Sequence, residues 1–175
     1  MLRREVLSGP ARKLGRVAIS ENDLGQLRQC VELAREALAD GDEPFGSILV
    51  DNAGTTVFTD RNRVKGGDAT QHPEFAIARW AAEHMNPDER ANATVYTSGE
   101  HCPMCSAAHA WVGLGRIVYA TSSAQLSRWL SEWGVPAAPV APLPITTVAP
   151  GIEVDGPAGE LAAPMKDLYA AKFRV

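Results

Sequence analysis

Aromatic side chains make up only 6% of this chain, against an apolar fraction of 45%. Its core must therefore be built mainly from Ala, Val, Leu and Ile. No stretch approaches the roughly 18 consecutive apolar residues of a membrane-spanning helix. The charged start, Met1 to Lys13, leads into no apolar run, so a secretory signal is not expected. Cysteines number 3, and an odd count with a Cys-x-x-Cys pair fits a reducing, cytoplasmic setting better than a disulfide framework. Positive charge is not in excess: the net charge is -4 and the pI about 5.6. An acidic balance is a poor match to a nucleic-acid backbone and favours a small-molecule substrate. No Gly-rich dinucleotide fingerprint occurs, which argues against a reductase.

A length of 175 residues suits one domain. It is assigned to residues 21–175, preceded by an N-terminal extension over 1–20. That extension gathers Arg3, Arg4, Arg12, Lys13 and Arg16, readable as a solvated leader or as an RNA-contacting arm.

From Glu21 to Asp40, Leu24, Leu27, Val31, Ala34 and Leu38 recur at helical spacing, with Ser20 as N-cap and Gly41 as the stop. Phe45–Val50 and Thr55–Thr59 read as a hairpin around Asn52–Gly54, followed by a polar loop from Asp60 to Gln71. Pro73 opens a helix that buries Phe75, Ile77, Ala78, Ala81 and Ala82 and closes at Asn86-Pro87. A strand over Ala93–Thr97, a helix over Met104–Val112, a strand over Arg116–Thr121 and a helix over Ser123–Trp133 follow. The Pro-rich connector Val135–Pro144 leads to an expected strand at Ile145–Val148 and a terminal helix from Met165 to Phe173. This order implies an α/β/α three-layer sandwich with a mixed sheet of about five strands.

Within that frame two short motifs carry chemistry, His72-Pro73-Glu74 and Cys102-Pro103-Met104-Cys105. Cysteines three apart at a helix start aim both sulfurs at one locus, where free backbone amides favour thiolate charge. If the strand between the motifs makes their helices neighbours, His72, Cys102 and Cys105 supply three Zn²⁺ ligands. One tetrahedral position is then left for water, as in catalytic rather than structural sites. Glu74, two residues after the histidine, is placed to shuttle protons without binding metal. Taken alone, the cysteines also fit a redox pair or half of a structural zinc module, and Glu74 a simple helix cap.

These residues resemble the cytidine/deoxycytidylate deaminase-like zinc deaminases, nearest the branch with guanine deaminases and tRNA adenosine deaminases. The likeness runs from about Glu21 to Thr121. It includes Pro44–Val50, Asp60-Arg61-Asn62, His72-Pro73-Glu74 and Thr97–Cys105. It implies zinc held by His72, Cys102 and Cys105, proton shuttling by Glu74, and a base hydrogen-bonded by Asn62. Phe45 is expected either to line the base site or to fill the core. The chain departs from the family in having Pro73 where Ala is usual and His101 where Pro is usual. His101 is expected either to line the substrate pocket or to point outward. The resemblance further implies hydrolytic deamination of a free nucleobase or triazine-like amino-heterocycle, guanine-like or cytosine-like, by a homodimer. Nucleoside and tRNA adenosine deamination are the alternatives. Three features stay open: the Trp129/Trp133 stripe as packing or base platform, Glu100 as pocket group or helix cap, and the C-terminal tail as a cover for its own pocket or a neighbour's. His84 and His109 are expected on the surface or satisfied in the core.

Overall fold

The computed structural model describes residues 19–174, so the basic N-terminal cluster and most of the expected extension lie outside the described residues. Helix α1 (Glu21–Ala39) starts at Ser20, whose hydroxyl accepts the Asp23 amide while the Asp23 carboxylate accepts the Ser20 amide. Strands β1 (Gly46–Val50) and β2 (Thr56–Arg61) form the expected hairpin. Asp51 Oδ1 closes its turn by accepting the amides of Ala53 and Thr55 at 2.9 and 2.8 Å. β2 runs through Asp60 and Arg61, which the sequence reading had assigned to the loop.

After α2 (Pro73–His84) comes a short helix, α3 (Pro87–Asn92), where only a stop signal had been read. Asn86 is its N-cap, accepting the amides of Asp88 and Glu89 at 3.0 Å each. Strand β3 (Thr94–Gly99), helix α4 (Pro103–Val112), strand β4 (Arg116–Thr121) and helix α5 (Ser123–Glu132) follow. The expected strand at Ile145–Val148 is a helical turn instead, α6. The cause is tertiary: Glu100 Oε1 accepts the Ile145 amide at 3.1 Å, capping the turn, and the Ile145 side chain packs against Ile117 and Tyr119. The last strand, β5 (Val154–Asp155), pairs Val154 with Ile117 and Asp155 with Val118. Helix α7 (Ala162–Phe173) completes the chain.

The sheet order is β2-β1-β3-β4-β5, with β1 antiparallel to both neighbours and β3, β4 and β5 parallel. Alternation along each strand splits the core. Ile48, Val50, Tyr96, Val118 and Ala120 face α1, α5 and α7, whereas Leu49 and Val95 face α2 and α4. This is the α/β/α sandwich with a mixed five-stranded sheet. Two expected core positions are corrected: Ala82 is exposed and Phe75 only half-buried, because the buried face of α2 is the stripe Glu74, Ile77, Ala78 and Ala81. At Gly46 the backbone of β1 lies directly against α1. A Cβ there would lie 2.6 Å from the Cys30 carbonyl oxygen and 2.8 Å from the Ala34 amide nitrogen. No helix of the described residues is long and apolar enough to cross a membrane.

Candidate metal centre and active site

Two parallel constructions build the centre. His72 is the N-cap of α2 and Cys102 the N-cap of α4, each in extended backbone and each followed by a proline at the first helical position. Proline fits there because that position has no helical acceptor for an N–H, so Pro73 is accommodated without strain. Packing of α2 against α4 brings the two helix starts together. Cys105, one turn into α4, then reaches the same point from inside the protein.

Cys102 Sγ lies 3.6 Å from His72 Nδ1 and 3.6 Å from Cys105 Sγ, and Cys105 Sγ lies 3.7 Å from His72 Nδ1. Tetrahedral zinc, about 2.3 Å from sulfur and about 2.0–2.1 Å from nitrogen, has ligand-to-ligand edges of roughly 3.8 Å and 3.5–3.6 Å. The three observed edges match these within about 0.2 Å. One imidazole and two sulfurs are also the softness zinc prefers. Among the described residues this is one cluster able to hold a metal ion.

The donors influence one another as a metal site should before its charge is added. The Cys105 hydrogen bond, with that of His72, pulls the Cys102 thiol down to about 4 against the opposing effect of burial. The same Cys102–Cys105 contact, burial and the nearby Glu74 push Cys105 well up. Two thiolates so close cannot both form unaided, and a divalent cation between them removes that conflict. His72 is raised by its hydrogen bond to Cys102, opposed by burial.

Glu74, in the first turn of α2, is 5% exposed. Its Oε2 lies 3.7 Å from Cys105 Sγ, which puts this oxygen at the edge of the donor cluster. Its Oε1 accepts hydrogen bonds from Ser47 Oγ at 3.0 Å and Thr97 Oγ1 at 2.8 Å. Burial raises its pKa, partly offset by the charge of His72 and the Thr97 hydrogen bond.

Asn62, immediately after β2, is wholly buried. Its Oδ1 accepts the Val64 amide at 3.1 Å, which fixes the amide orientation and leaves buried Nδ2 with no partner among the described residues. His101 is 1% exposed, meets His109 edge-on at 5.4 Å, and neither of its ring nitrogens has a partner among the described residues. Burial, aided by His109 and His72, holds His101 well below its usual pKa, so it is neutral. Phe45 is half-buried and packs on Tyr169 with ring centroids 5.5 Å apart.

His109 is a buried, neutral core residue whose Nε2 meets the Gly115 carbonyl at 2.9 Å, and burial lowers its pKa to about 4. His84 is exposed and stacks on Trp80. Glu100 is a helix cap: Oε2 accepts the Ser123 amide at 2.8 Å, while Oε1 holds the start of α6. Trp129 is buried against Tyr169 in the α1-side core, with Trp133 packed beside it. The tail folds onto its own chain. Tyr169 of α7 is fully buried and hydrogen-bonds Thr121 Oγ1 at 3.0 Å, and Gly99 is held without a side chain by Phe45 and the Tyr169 hydroxyl. Sequence reasoning gave no role to Ser47 and Thr97, although they lie in the Pro44–Val50 and Thr97–Cys105 segments, because a strand hydroxyl carries no spacing signal that points to a distant acid. It also missed Glu43, a partly buried carboxylate whose charge is felt at His72.

A three-layer fold presenting one imidazole, two sulfurs and a buried acid at two helix starts defines the chain as a zinc-dependent aminohydrolase. Residues 20–121 match the cytidine and deoxycytidylate deaminase zinc-binding region, and the chain belongs to that family. A probable cytosine deaminase of Schizosaccharomyces pombe is 34% identical over 116 residues, spanning 66% of this chain and 70% of that protein. A tRNA-specific adenosine deaminase of Haemophilus influenzae is 33% identical over 104 residues, 59% of this chain and 60% of its own length. The structure of guanine deaminase from Bacillus subtilis superposes with a TM-score of 0.53 at 25% identity, over 69% of this chain and 82% of that one.

Proposed function

We propose that the chain deaminates a free nucleobase, guanine-like or cytosine-like, by hydrolysis. The observation that carries this reading is the second carboxylate oxygen of Glu74, which accepts from Cys105 Sγ at 3.7 Å beside a donor set sized for zinc. Zinc, when held by His72, Cys102 and Cys105, lowers the pKa of water to near neutrality and so supplies the nucleophile.

The chain's own residues handle the protons. Glu74 Oε2 takes one proton from the nucleophilic water and delivers it to the ring nitrogen, which makes the amino-bearing carbon electrophilic. The C–O bond forms and that carbon becomes tetrahedral. Glu74 then passes the remaining hydroxyl proton to the amine, the C–N bond breaks, and ammonia leaves a ring carbonyl behind. Burial serves this cycle, because it raises the pKa of the acid and so makes its carboxylate a better proton acceptor. Asn62 Nδ2, a buried donor without a partner among the described residues, is matched to an acceptor on the ring. Phe45 offers an aromatic wall, and the neutral His101 offers one donor and one acceptor to the heterocycle.

The similarity to cytosine and guanine deaminases supports a small ring as substrate. The net charge of -4 supports the same choice over tRNA. A homodimer belongs to this reading, supported by Trp111 standing 88% exposed on α4. So do a cytoplasmic setting, one zinc deaminase domain over 21–175, and an N-terminal extension before it. An ammonia-release screen over guanine, cytosine, isoguanine, adenine, aminotriazines and their nucleosides, with a tRNA anticodon stem-loop alongside, tests the proposal. Turnover of a free base is the expected result. Turnover of the RNA alone overturns the choice of substrate, and none on any compound by zinc-loaded protein overturns the activity.

A further inference from the structure

We propose that Ser47 and Thr97 are positioning residues: they lock one oxygen of Glu74 and thereby aim the other at the His72–Cys102–Cys105 cluster. The inference rests on the deaminase reading and names the part of the strands that sets its geometry.

Ser47 on β1 and Thr97 on β3 are direct cross-strand partners, so their side chains leave the sheet together on one face. It is the face that Leu49 and Val95 share against α2 and α4. Polar residues on both strands at this one level, each 0% exposed, are costly unless they bind something. What they bind is Oε1 of Glu74, with Ser47 Oγ 2.9 Å from Thr97 Oγ1 and Thr97 Oγ1 2.9 Å from the Gly99 carbonyl. Both hydroxyls reach Oε1, which leaves Oε2, the oxygen beside Cys105, as the one turned toward the donor cluster.

A carboxylate on a helix can otherwise rotate, and misplacement of a reacting group by about 1 Å costs up to about 100-fold in rate. The test compares zinc-loaded Thr97→Val, Ser47→Ala, the double variant and Thr97→Ser on the best substrate of the screen. The Val and double variants are expected to lose about 10- to 100-fold in kcat, with KM within about twofold and one zinc per chain retained. Thr97→Ser keeps the hydroxyl and is expected to stay within about threefold of the starting kcat. Crystal structures of Ser47→Ala and the double variant give a readout independent of turnover: Oε1 is expected to leave its position and the carboxylate to rotate. An unrotated carboxylate, a double variant within threefold in kcat, or equal losses for Thr97→Ser and Thr97→Val overturns the proposal. Glu74→Gln separates the two levels. If the unmodified zinc-loaded protein turns over nothing in the screen, the deaminase reading fails. If it is active and Glu74→Gln is equally active, the role of Glu74 fails and the cradle with it. If Glu74→Gln is dead and Thr97→Val is unimpaired, only the cradle fails.

Discussion

Replacing Glu74 with Gln removes the proposed proton shuttle while leaving almost every atom in place. Gln is isosteric, and its carbonyl oxygen can still accept from Ser47 and Thr97, which now hold Oε1 at 3.0 and 2.8 Å. Its amide then occupies the position of Oε2 beside Cys105. Burial makes the ionised carboxylate costly, so a neutral amide there should keep or raise stability. The thermal midpoint is expected to stay within a few degrees of the unmodified protein or to rise. Zinc should remain at one per chain, because none of the three donors changes. Turnover is another matter. General acid–base catalysis contributes about 10²–10⁴-fold, or roughly 3–5 kcal/mol of barrier at 1.36 kcal/mol per decade. Ammonia release followed by a coupled NADH assay, with metal content by plasma mass spectrometry, measures both quantities on one preparation. A Gln variant that holds zinc and keeps more than a tenth of the original kcat would refute the assigned role. One that loses zinc would place Glu74 among the ligands instead.

Three further outcomes follow from other parts of the molecule. Chelation should abolish turnover and lower the thermal midpoint, since the ion joins helix starts far apart in sequence, and zinc alone should restore both; a chelated protein of unchanged stability counts against the centre. Gly46→Ala forces a methyl against the backbone of α1 and should cost about 3 kcal/mol, seen as a midpoint lower by roughly 6–12 °C; a neutral effect would mean α1 shifts freely. At Asp23, burial acts to raise the pKa but is outweighed by Arg116, the Ser20 amide and hydroxyl, and Tyr96, leaving the carboxyl depressed. Its stabilisation is therefore complete above the unfolded value near 3.9 and is lost as pH falls through the folded one. The difference in urea midpoint between the native chain and Asp23→Asn should be constant from neutral pH down to about 4 and shrink below it; a difference that widens on acidification contradicts the ion pair's role.

The chemistry and the terminal layers of the fold were legible in unequal measure. His72-x-Glu74 and Cys102-x-x-Cys105 could be read directly because each pair is set by one turn of helix, and prolines after His72 and Cys102 mark the starts. The hairpin and the long helices were legible for the same reason, since hydrophobic periodicity and capping residues act over a few positions. Ile145–Val148 misled because four apolar or β-branched residues suit a short strand, while the actual state is set by Glu100, 45 residues earlier. The C-terminal tail had no local signal for its docking, which depends on the space Gly99 leaves beside Phe45.

By itself, then, the sequence determined which atoms can bind a metal and move a proton, because ligand identity and helical spacing are local properties. The tertiary structure alone decided that those atoms meet at 3.6–3.7 Å, and that two strand hydroxyls grip the acid between them. Apart from the Cys102–Cys105 pair, those contacts join residues 23 to 33 positions apart, at distances set by how α2 and α4 pack on the twisted sheet, which no short-range pattern in the chain encodes.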